Sequence, residues 1–304
     1  MPAIHTTDSP KAASAVSYGM LARWLALAAL VPLLSACFTL TTEPRALVLQ
    51  PDGRIRAMSL PCPPSGPDTR GVIQLAKLDS RSIRLSTWNI HKEGDAGWHD
   101  DLRALARNSD ILLLQETTVQ PAVQEILQST DLGWVMASSF SYEDHDFGVL
   151  TAARVEALAS CTQRVVEPLL RLPKSAVISW FAAAGKPETL AVVNVHAINF
   201  SLSTDAYRAQ MSALADALAW HAGPIILAGD LNTWSAARMK VVDDVAIRLR
   251  LTEVALAKDE RTLFLGRQVD HILTRGLRVL AARAVAVTSS DHNPVTATLQ
   301  WAEP

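Results

Sequence analysis

The sequence predicts a mixed α/β (α+β) domain of about 220 residues, reached from the N-terminus through a tether. Three observations carry that prediction. Apolar runs of strand length recur between residues 83 and 301, several of them closed by Gly, Asn or Asp. One stretch, 203–223, holds helical periodicity throughout. With 304 residues, 49% hydrophobic and only 19% charged, the chain can bury a sizeable core and does not read as disordered.

The N-terminus is set aside before the fold is read. "MLARWLALAALVPLLSAC" (20–37) has one basic residue, Arg23, followed by an unbroken apolar stretch. It closes on Leu34-Ser35-Ala36-Cys37, the order of a bacterial lipobox. Residues 1–37 are therefore expected to be a signal peptide whose Cys37 is acylated. That makes the protein an exported, membrane-anchored lipoprotein facing the periplasm or the cell exterior. A plain signal peptide and a short membrane anchor are the alternatives. Residues 38–80, rich in Pro, Thr, Ser and Arg, read as a tether with some extended structure. The four prolines of "LPCPPSGPD" (60–68) rule out helix there. The folded domain is expected over 81–302.

Within it, "IRLSTWN" (83–89) is strand-like, and "WHDDLRALARNSD" (98–110) sets Trp98, Leu102 and Leu105 on one helical face. "ILLLQE" (111–116), "FGVLTAA" (147–153), "SAVISWFAAA" (175–184) and "ETLAVVNVHAIN" (188–199) read as strands, the last two joined by a turn at Gly185-Lys186-Pro187. In the helix over 203–223, Ser203 or Thr204 caps, Tyr207, Met211, Leu214 and Leu218 line one face, and Gly223 stops it. "IILAGDLNTW" (225–234) opens as a buried strand, and 236–251 is helical. "QVDHILT" (268–274), "RAVAVTSS" (283–290) and "VTATLQW" (295–301) complete the strands. No internal repeat recurs at a fixed period.

The net charge of −2 offers no basic excess with which to grip polyanions non-specifically. Of three cysteines, Cys62 and Cys161 remain if Cys37 is lipidated. An oxidising compartment would permit their pairing, and two separate thiols are equally open.

Apolar strands repeatedly end in residues that a core rejects. Asn89 closes "LSTWN", Glu116 closes "ILLLQE" and His196 closes "VVNVH". Asp230 and Asn232 close "IILAGDLN", Asp270 interrupts "QVDHIL", and Asp291-His292 follows "AVAVTSS". Burying any of these unpaired costs several kcal/mol, so convergence at one sheet rim is the economical explanation. Taken singly, Asn89 or Asp270 is an ordinary turn residue and His196 a satisfied core histidine; the recurrence carries the inference. Carboxylates and amides without cysteine disfavour structural zinc and suit a hard cation, Mg²⁺ or Mn²⁺. Two histidines add proton transfer or charge stabilisation, and the combination fits phosphoester hydrolysis.

Asn89 in "STWNIHK", Glu116 in "LLLQE", His196 in "VNVHAINF", Asp230 and Asn232 in "AGDLN", Asp270 in "VDHIL" and the terminal "SDHNP" closely resemble the endonuclease/exonuclease/phosphatase superfamily. The likeness spans about 83–301 in the family's order. "EPLLRLPKSA" (167–176), "VVNVHAINFSLSTDAY" (192–207) and "GDLNTWSAARM" (229–239) are similar to a bacterial subgroup, the YafD-like proteins. The resemblance implies a DNase I-like four-layer sandwich: two packed mixed β-sheets flanked by helices, with the site at one edge. It implies Glu116 as principal metal ligand, with Asn89 and Asp291 beside it. Asp230, helped by Asn232, would prepare the water. His292, oriented by Asp270, would contact the scissile phosphate, and His196 would stabilise the phosphate or protonate the leaving group.

The other charged residues read as follows. Arg154, Lys174, Arg208 and Arg267 are expected as solvated charge rather than phosphate contacts, and "YEDHD" (142–146) as a solvated loop. His271, adjacent to Asp270, is expected to point the other way, and His99, His145 and His221 show no partner pattern. Within the family, His196 in place of the Tyr usual in abasic-site endonucleases disfavours repair and fits the DNase I and sphingomyelinase branches. The expected activity is a metal-dependent phosphodiesterase or phosphatase, with nuclease action also open. Its substrate would be a nucleic acid or a phospholipid head group, and no protein partner is inferable. The rival class is a non-catalytic envelope lipoprotein that uses the same fold for binding.

Overall fold

The computed structural model describes residues 43–69, 76–201 and 203–303. The lipobox, and with it the expected signal peptide, lies outside the described residues.

Two large mixed sheets stand face to face with helices on their outer sides. The first contains β1 (Ala46–Leu49), β2 (Ile55–Met58), β3 (Ile83–Asn89), β4 (Ile111–Thr118), β5 (Gly133–Tyr142) and β6 (His145–Ala153), joined by two late strands described below. The second contains β7 (Ala159–Val166), β8 (Pro173–Ala182), β9 (Thr189–His196), β10 (Ile225–Asp230), β11 (Thr252–Glu253) and, after a small hairpin of β12 (Leu263–Phe264) and β13 (Arg267–Gln268), β14 (Asp270–Arg275). The chain then returns to the first sheet through β15 (Leu277–Ala284) and β16 (Val295–Trp301). The eight-stranded order is β15-β16-β3-β4-β6-β5-β1-β2 and the six-stranded order β11-β14-β10-β9-β8-β7. Helices α1 (Trp98–Asn108) and α2 (Pro121–Ser129) cover the first sheet, and α3 (Asp205–Leu218) and α4 (Ala236–Leu249) the second.

Strand alternation explains the four layers. In β4, Ile111 and Leu113 face the other sheet, where they meet Phe181, Val192 and Ile226. Leu112 and Leu114 point outward, beneath Leu102 of α1 and Ile126 of α2. Across the molecule, Ile178, Val193 and Leu227 face Tyr207, Met211 and Leu214 of α3 and Val241 and Val245 of α4. Strands buried on both faces must be apolar at every position, which is why these runs do not alternate in sequence.

The structure departs from the sequence reading in several places. The segment read as a tether supplies β1 and β2; β1 pairs antiparallel with β5, and Cys62 is joined to Cys161 of β7 by a disulfide with Cα atoms 4.9 Å apart. β1 is short and follows Pro44, so it shows no period of its own. α2, β5 and β7 went unread, although Pro121 at the first helical position is a recognisable start. "YEDHD" is a tight hairpin whose tip, Glu143 to His145, is exposed as expected, but whose last residue is not. Its Asp146 is buried and accepts from Arg45 Nε at 2.9 Å and from the Ser138 and Ser141 hydroxyls at 2.7 Å each. The strand expected over 283–290 ends at Ala284, because residues 285–294 leave the sheet and fold over the end of β3. Helix α3 stops at Leu218, short of Gly223. At its start the Ser203 hydroxyl accepts from Asp205 N at 3.3 Å, while the Thr204 side chain makes no cap bond.

One register places the polar strand ends. β9 and β10 are parallel with His196 opposite Asp230, and β10 and β14 antiparallel with Asp230 opposite Asp270. His196, Asp230 and Asp270 thus form a row at one edge of the second sheet. Gly229 makes the row possible: its φ is +137°, and a Cβ there would lie 2.1 Å from the Val195 carbonyl oxygen. Gly229→Ala is expected to cost on the order of 3 kcal/mol, read as a lowered denaturant midpoint. Reducing the Cys62–Cys161 bond, which closes a separation of 99 residues, is expected to cost about 2–5 kcal/mol, measured by denaturation with and without reductant.

Candidate active site

The site begins at the ends of β3 and β4. After Asn89 the chain makes a short 3-10 turn, His91–Glu93, in which all three residues have positive φ. Four hydrogen bonds hold this turn down. Asn89 Oδ1 accepts from His91 N at 3.1 Å, and the Glu93 carboxylate accepts from Thr118 N at 2.9 Å and from the Thr117 and Thr118 hydroxyls at 2.7 and 3.0 Å. Beside it, β4 bulges between Leu114 and Thr117, and Glu116 takes a left-handed φ of 51°. The bulge breaks the alternation of the strand and turns the Glu116 side chain to the rim, at a backbone cost of order 1–3 kcal/mol.

From the facing sheet come His196, Asp230, Asn232 and Asp270. Asp230 is a hub: its Oδ2 accepts from Asn89 Nδ2 at 3.1 Å, and its Oδ1 accepts from Asn232 N at 3.0 Å. His196 Nε2 lies 3.4 Å from Asp230 Oδ2 and 3.6 Å from Glu116 Oε1. Asn232, at φ 50°, gives its side-chain N–H to the Ala197 carbonyl at 3.0 Å. The Asp230–Asp270 pair would repel across the ladder. His292 relieves it, with Nδ1 2.8 Å from Asp270 Oδ2 and Nε2 3.9 Å from Asp230 Oδ2. The loop bearing His292 is pinned to β3: Trp88 Nε1 donates to the His292 carbonyl at 2.9 Å, and the Ser290 hydroxyl donates to the Asn89 carbonyl at 2.7 Å.

Seven of the eight sequence-predicted residues therefore meet at one rim. Asp291 stays at its solvent edge, its carboxylate 3.8 Å from His91 Nδ1. His271 turns away, as expected of a strand neighbour, to Thr233 Oγ1 at 2.6 Å and Glu253 at 2.8 Å.

Two lysines complete the site. Lys174, expected as solvated charge, is mostly buried: its ammonium donates to His196 Nε2 at 2.8 Å and lies 4.0 Å from Glu116 Oε1. Lys92, on the 3-10 turn, pairs directly with the other Glu116 oxygen. The signal for Lys174 was its place at the start of a strand antiparallel to the one ending in His196, which pairing alone reveals. Of the other cations, Arg154 donates to the carbonyls of Ser109, Thr130 and Arg107, and Arg208 pairs with Asp244 on the surface.

These contacts set the charges. Burial works against ionised Glu116, but His196, Lys174 and Lys92 outweigh it and hold its pKa down to about 2. Burial and the neighbouring Lys174 lower His196 to about 4, so at neutral pH the imidazole is neutral and the two lysines supply the countercharge for Glu116. Because Lys174 donates to Nε2, the His196 proton sits on Nδ1. His292 goes the opposite way. Burial opposes its charge, yet Asp270 and Asp230 raise it to about 10, leaving a persistent imidazolium.

The donor set was tested for a divalent cation. Ligand atoms of Asp230, Asp270 and His292 lie within 4.8 Å of one another. Asp270 already takes Nδ1 of the His292 imidazole and Asp230 is held by Asn89 and Asn232, so the trio is a tied hydrogen-bond network as well as a possible donor set. Glu116 offers a second donor set: an ionised carboxylate at the rim, shared with Lys92, with Asn89 at the end of the neighbouring strand.

Comparison with known proteins places the chain in a family and a fold. A model of the Endonuclease/Exonuclease/phosphatase family matches residues 86–292. A UPF0294 protein of Vibrio cholerae serotype O1 is 39% identical over 216 residues, 70% of this chain and 76% of its own. A UPF0294 protein of Yersinia pseudotuberculosis is 38% identical over 218 residues, 72% and 84% of the two chains. Among solved structures, the catalytic domain of human Nocturnin with bound sulfate superposes with a TM-score of 0.57 at 17% identity, over 74% of this chain and 96% of its own. Bacteroides thetaiotaomicron mannosyl-6-phosphatase gives 0.56 at 14%, over 72% and 100%. The chain belongs to the Endonuclease/Exonuclease/phosphatase family.

Proposed function

We propose that the chain hydrolyses a phosphoester with the help of a divalent cation, Mg²⁺ or Mn²⁺. One observation carries this: a single rim holds a fixed carboxylate, a persistent imidazolium and a neutral imidazole, beside an ionised glutamate with cationic partners. Glu116 and Asn89 would hold the ion, with Asp291 near enough in sequence to His292 to join from the solvent edge. A bound divalent ion neutralises phosphate oxygens and acidifies water.

The protein's own groups do the rest. Asn89 and Asn232 fix both oxygens of Asp230, so its carboxylate is held to orient a water and accept its proton. His292, kept cationic by Asp270, directs its Nε2–H at a phosphate oxygen, where negative charge accumulates in the transition state. Lys174 and His196 share one proton position and can pass a proton to the departing oxygen. The balance is simple: water oxygen bonds to phosphorus, the ester P–O bond breaks, and the alcohol leaves with a proton.

Turnover of bis(p-nitrophenyl) phosphate with Mg²⁺, abolished by EDTA, tests the proposal directly. Glu116→Ala should lose activity through metal affinity and be partly restored by excess Mg²⁺ or Mn²⁺. Asp230→Asn keeps the shape and should lose about 10²–10⁴-fold in kcat that metal does not restore. Wild-type kcat in both Asp230→Asn and His292→Ala would refute hydrolysis and favour a binding role for the fold.

The alkaline limb of the pH profile offers a second check. The His292 pKa is raised to about 10, so its charge persists until pH rises through about 10, and the stability it contributes is full below about 6.5 and lost by about 10. Asp270→Asn removes the main anion holding that proton. The alkaline limb of kcat/KM should move to lower pH, and the melting temperature should fall earlier on the alkaline side.

A further inference from the structure

The loops around the site on the six-stranded sheet carry an unusual set of side chains. Leu169, Leu170, Phe200, Leu263, Phe264 and Leu265 are large, apolar and between 47 and 73% exposed. They belong to three separate loops. The β7–β8 loop holds Leu169 and Leu170, and β8 is antiparallel to β9 with Ala176 opposite Val195, so that loop stands beside His196. Phe200 follows His196 by four residues. The β12–β13 hairpin ends just before Asp270, and its Phe264 lies edge-on to Trp234, 6.5 Å between ring centroids.

The loops are built and braced. The Glu167 carboxylate accepts from Asn199 N and Phe200 N at 2.8 and 2.7 Å, locking the first loop to the second. Buried Arg238 donates to the Asn199 carbonyl at 2.7 Å and lies 4.6 Å from the Tyr207 ring centroid and 4.5 Å from that of Trp234. Trp234 in turn donates to Asn199 Oδ1 at 3.0 Å. Buried charge is costly, and here it fixes loops whose tips expose leucine to water. A rigid apolar tip at a catalytic rim calls for a surface to enter.

Charge and connectivity indicate which surface. Exposed Arg171 and Arg267 flank the apolar tips, whereas the opposite lip, on the eight-stranded sheet, exposes Glu143, Asp144 and Asp291 with Lys92 among them. A nucleic acid crossing both lips would meet those acids; a lipid headgroup reached from one lip would not. The chain also enters the first sheet at this same end. Arg45 lies at the start of β1, beside Ser138 of β5, and β5 turns into β6 at the end where β6 meets Thr118. Seven residues lie between Cys37 and Arg45, eight steps of at most about 28 Å in all when extended.

We infer that this lip rests on a phospholipid bilayer, its apolar tips in the interface and its arginines on headgroup phosphates, and that the site hydrolyses a headgroup phosphoester. The inference rests on the phosphoesterase proposal above. Apolar anchors among basic side chains are the chemistry of interfacial binding.

The test uses the full chain in vesicles of phosphatidylcholine and phosphatidylglycerol. An environment-sensitive fluorophore on Leu265→Cys should shift to the blue, while one on Ile247→Cys, exposed on α4, should not; the unsubstituted chain gives the background from Cys37. Equal spectra at the two positions would overturn docking. Independently, Leu263→Ser/Leu265→Ser and Leu169→Ser/Leu170→Ser should release headgroup phosphoester from vesicles about tenfold or more slowly. Their turnover of bis(p-nitrophenyl) phosphate should be unchanged. Vesicle hydrolysis at the wild-type rate in both variants would overturn the inference, as would a wild-type chain active on the soluble diester and inert on vesicles. A wild-type chain inert on the soluble diester would instead sink the phosphoesterase proposal and the substrate with it, while the fluorophore would still report docking.

Discussion

A pair of amides between the sheets sets the site. Gln115 Nε2 donates to Asn194 Oδ1 at 2.6 Å, and Asn194 Nδ2 donates to the Leu150 carbonyl at 2.8 Å. Both residues are fully buried between the sheets, where the Ser139 and Ser175 hydroxyls, 2.8 Å apart, make a second polar contact. Apolar sheets packed face to face can slide, since contacts between aliphatic side chains have no direction. A buried amide left unpaired costs several kcal/mol, so these polar bonds together favour one alignment of the sheets. Gln115 precedes Glu116 and Asn194 comes two before His196. Aligning the amides therefore aligns the carboxylate of one sheet with the imidazole of the other.

Charge follows from that alignment. Seven ionisable groups share one rim, and their arrangement decides which are charged. His196 and His292 are the same side chain with opposite fates. One faces an ammonium and stays neutral; the other sits between two carboxylates and stays charged. Neither state depends on substrate, so the rim is electrostatically organised before anything binds.

Much of this was legible in the sequence because strand ends are local. A strand that reads Ile-Leu-Leu-Leu-Gln-Glu announces both its burial and its polar terminus. The fold class and seven of eight rim residues follow from such ends and from the family motifs. What was hidden depended on pairing. Lys174 looks like any charge at a strand start until β8 is laid against β9. Asp146 looks solvated until Arg45, 101 residues away, reaches it. β1 and β2 lack the length to show a period, and the bulge at Glu116 leaves no mark in composition. Asp291 stays at the solvent edge beside His91 while His292 turns inward, and spacing alone does not say how far each of two neighbours in a loop reaches.

The Cys62–Cys161 bond has a mechanical consequence. Force applied to the N-terminal end would reach β1 and β2 first, and a strand peeled along its ladder gives way one hydrogen-bonded pair at a time. At Cys62 the load passes covalently into β7, the edge strand of the other sheet. Unravelling halts there, before it reaches β3 and Asn89. Tension on the leading segment is thus spent on two strands that carry no catalytic side chain.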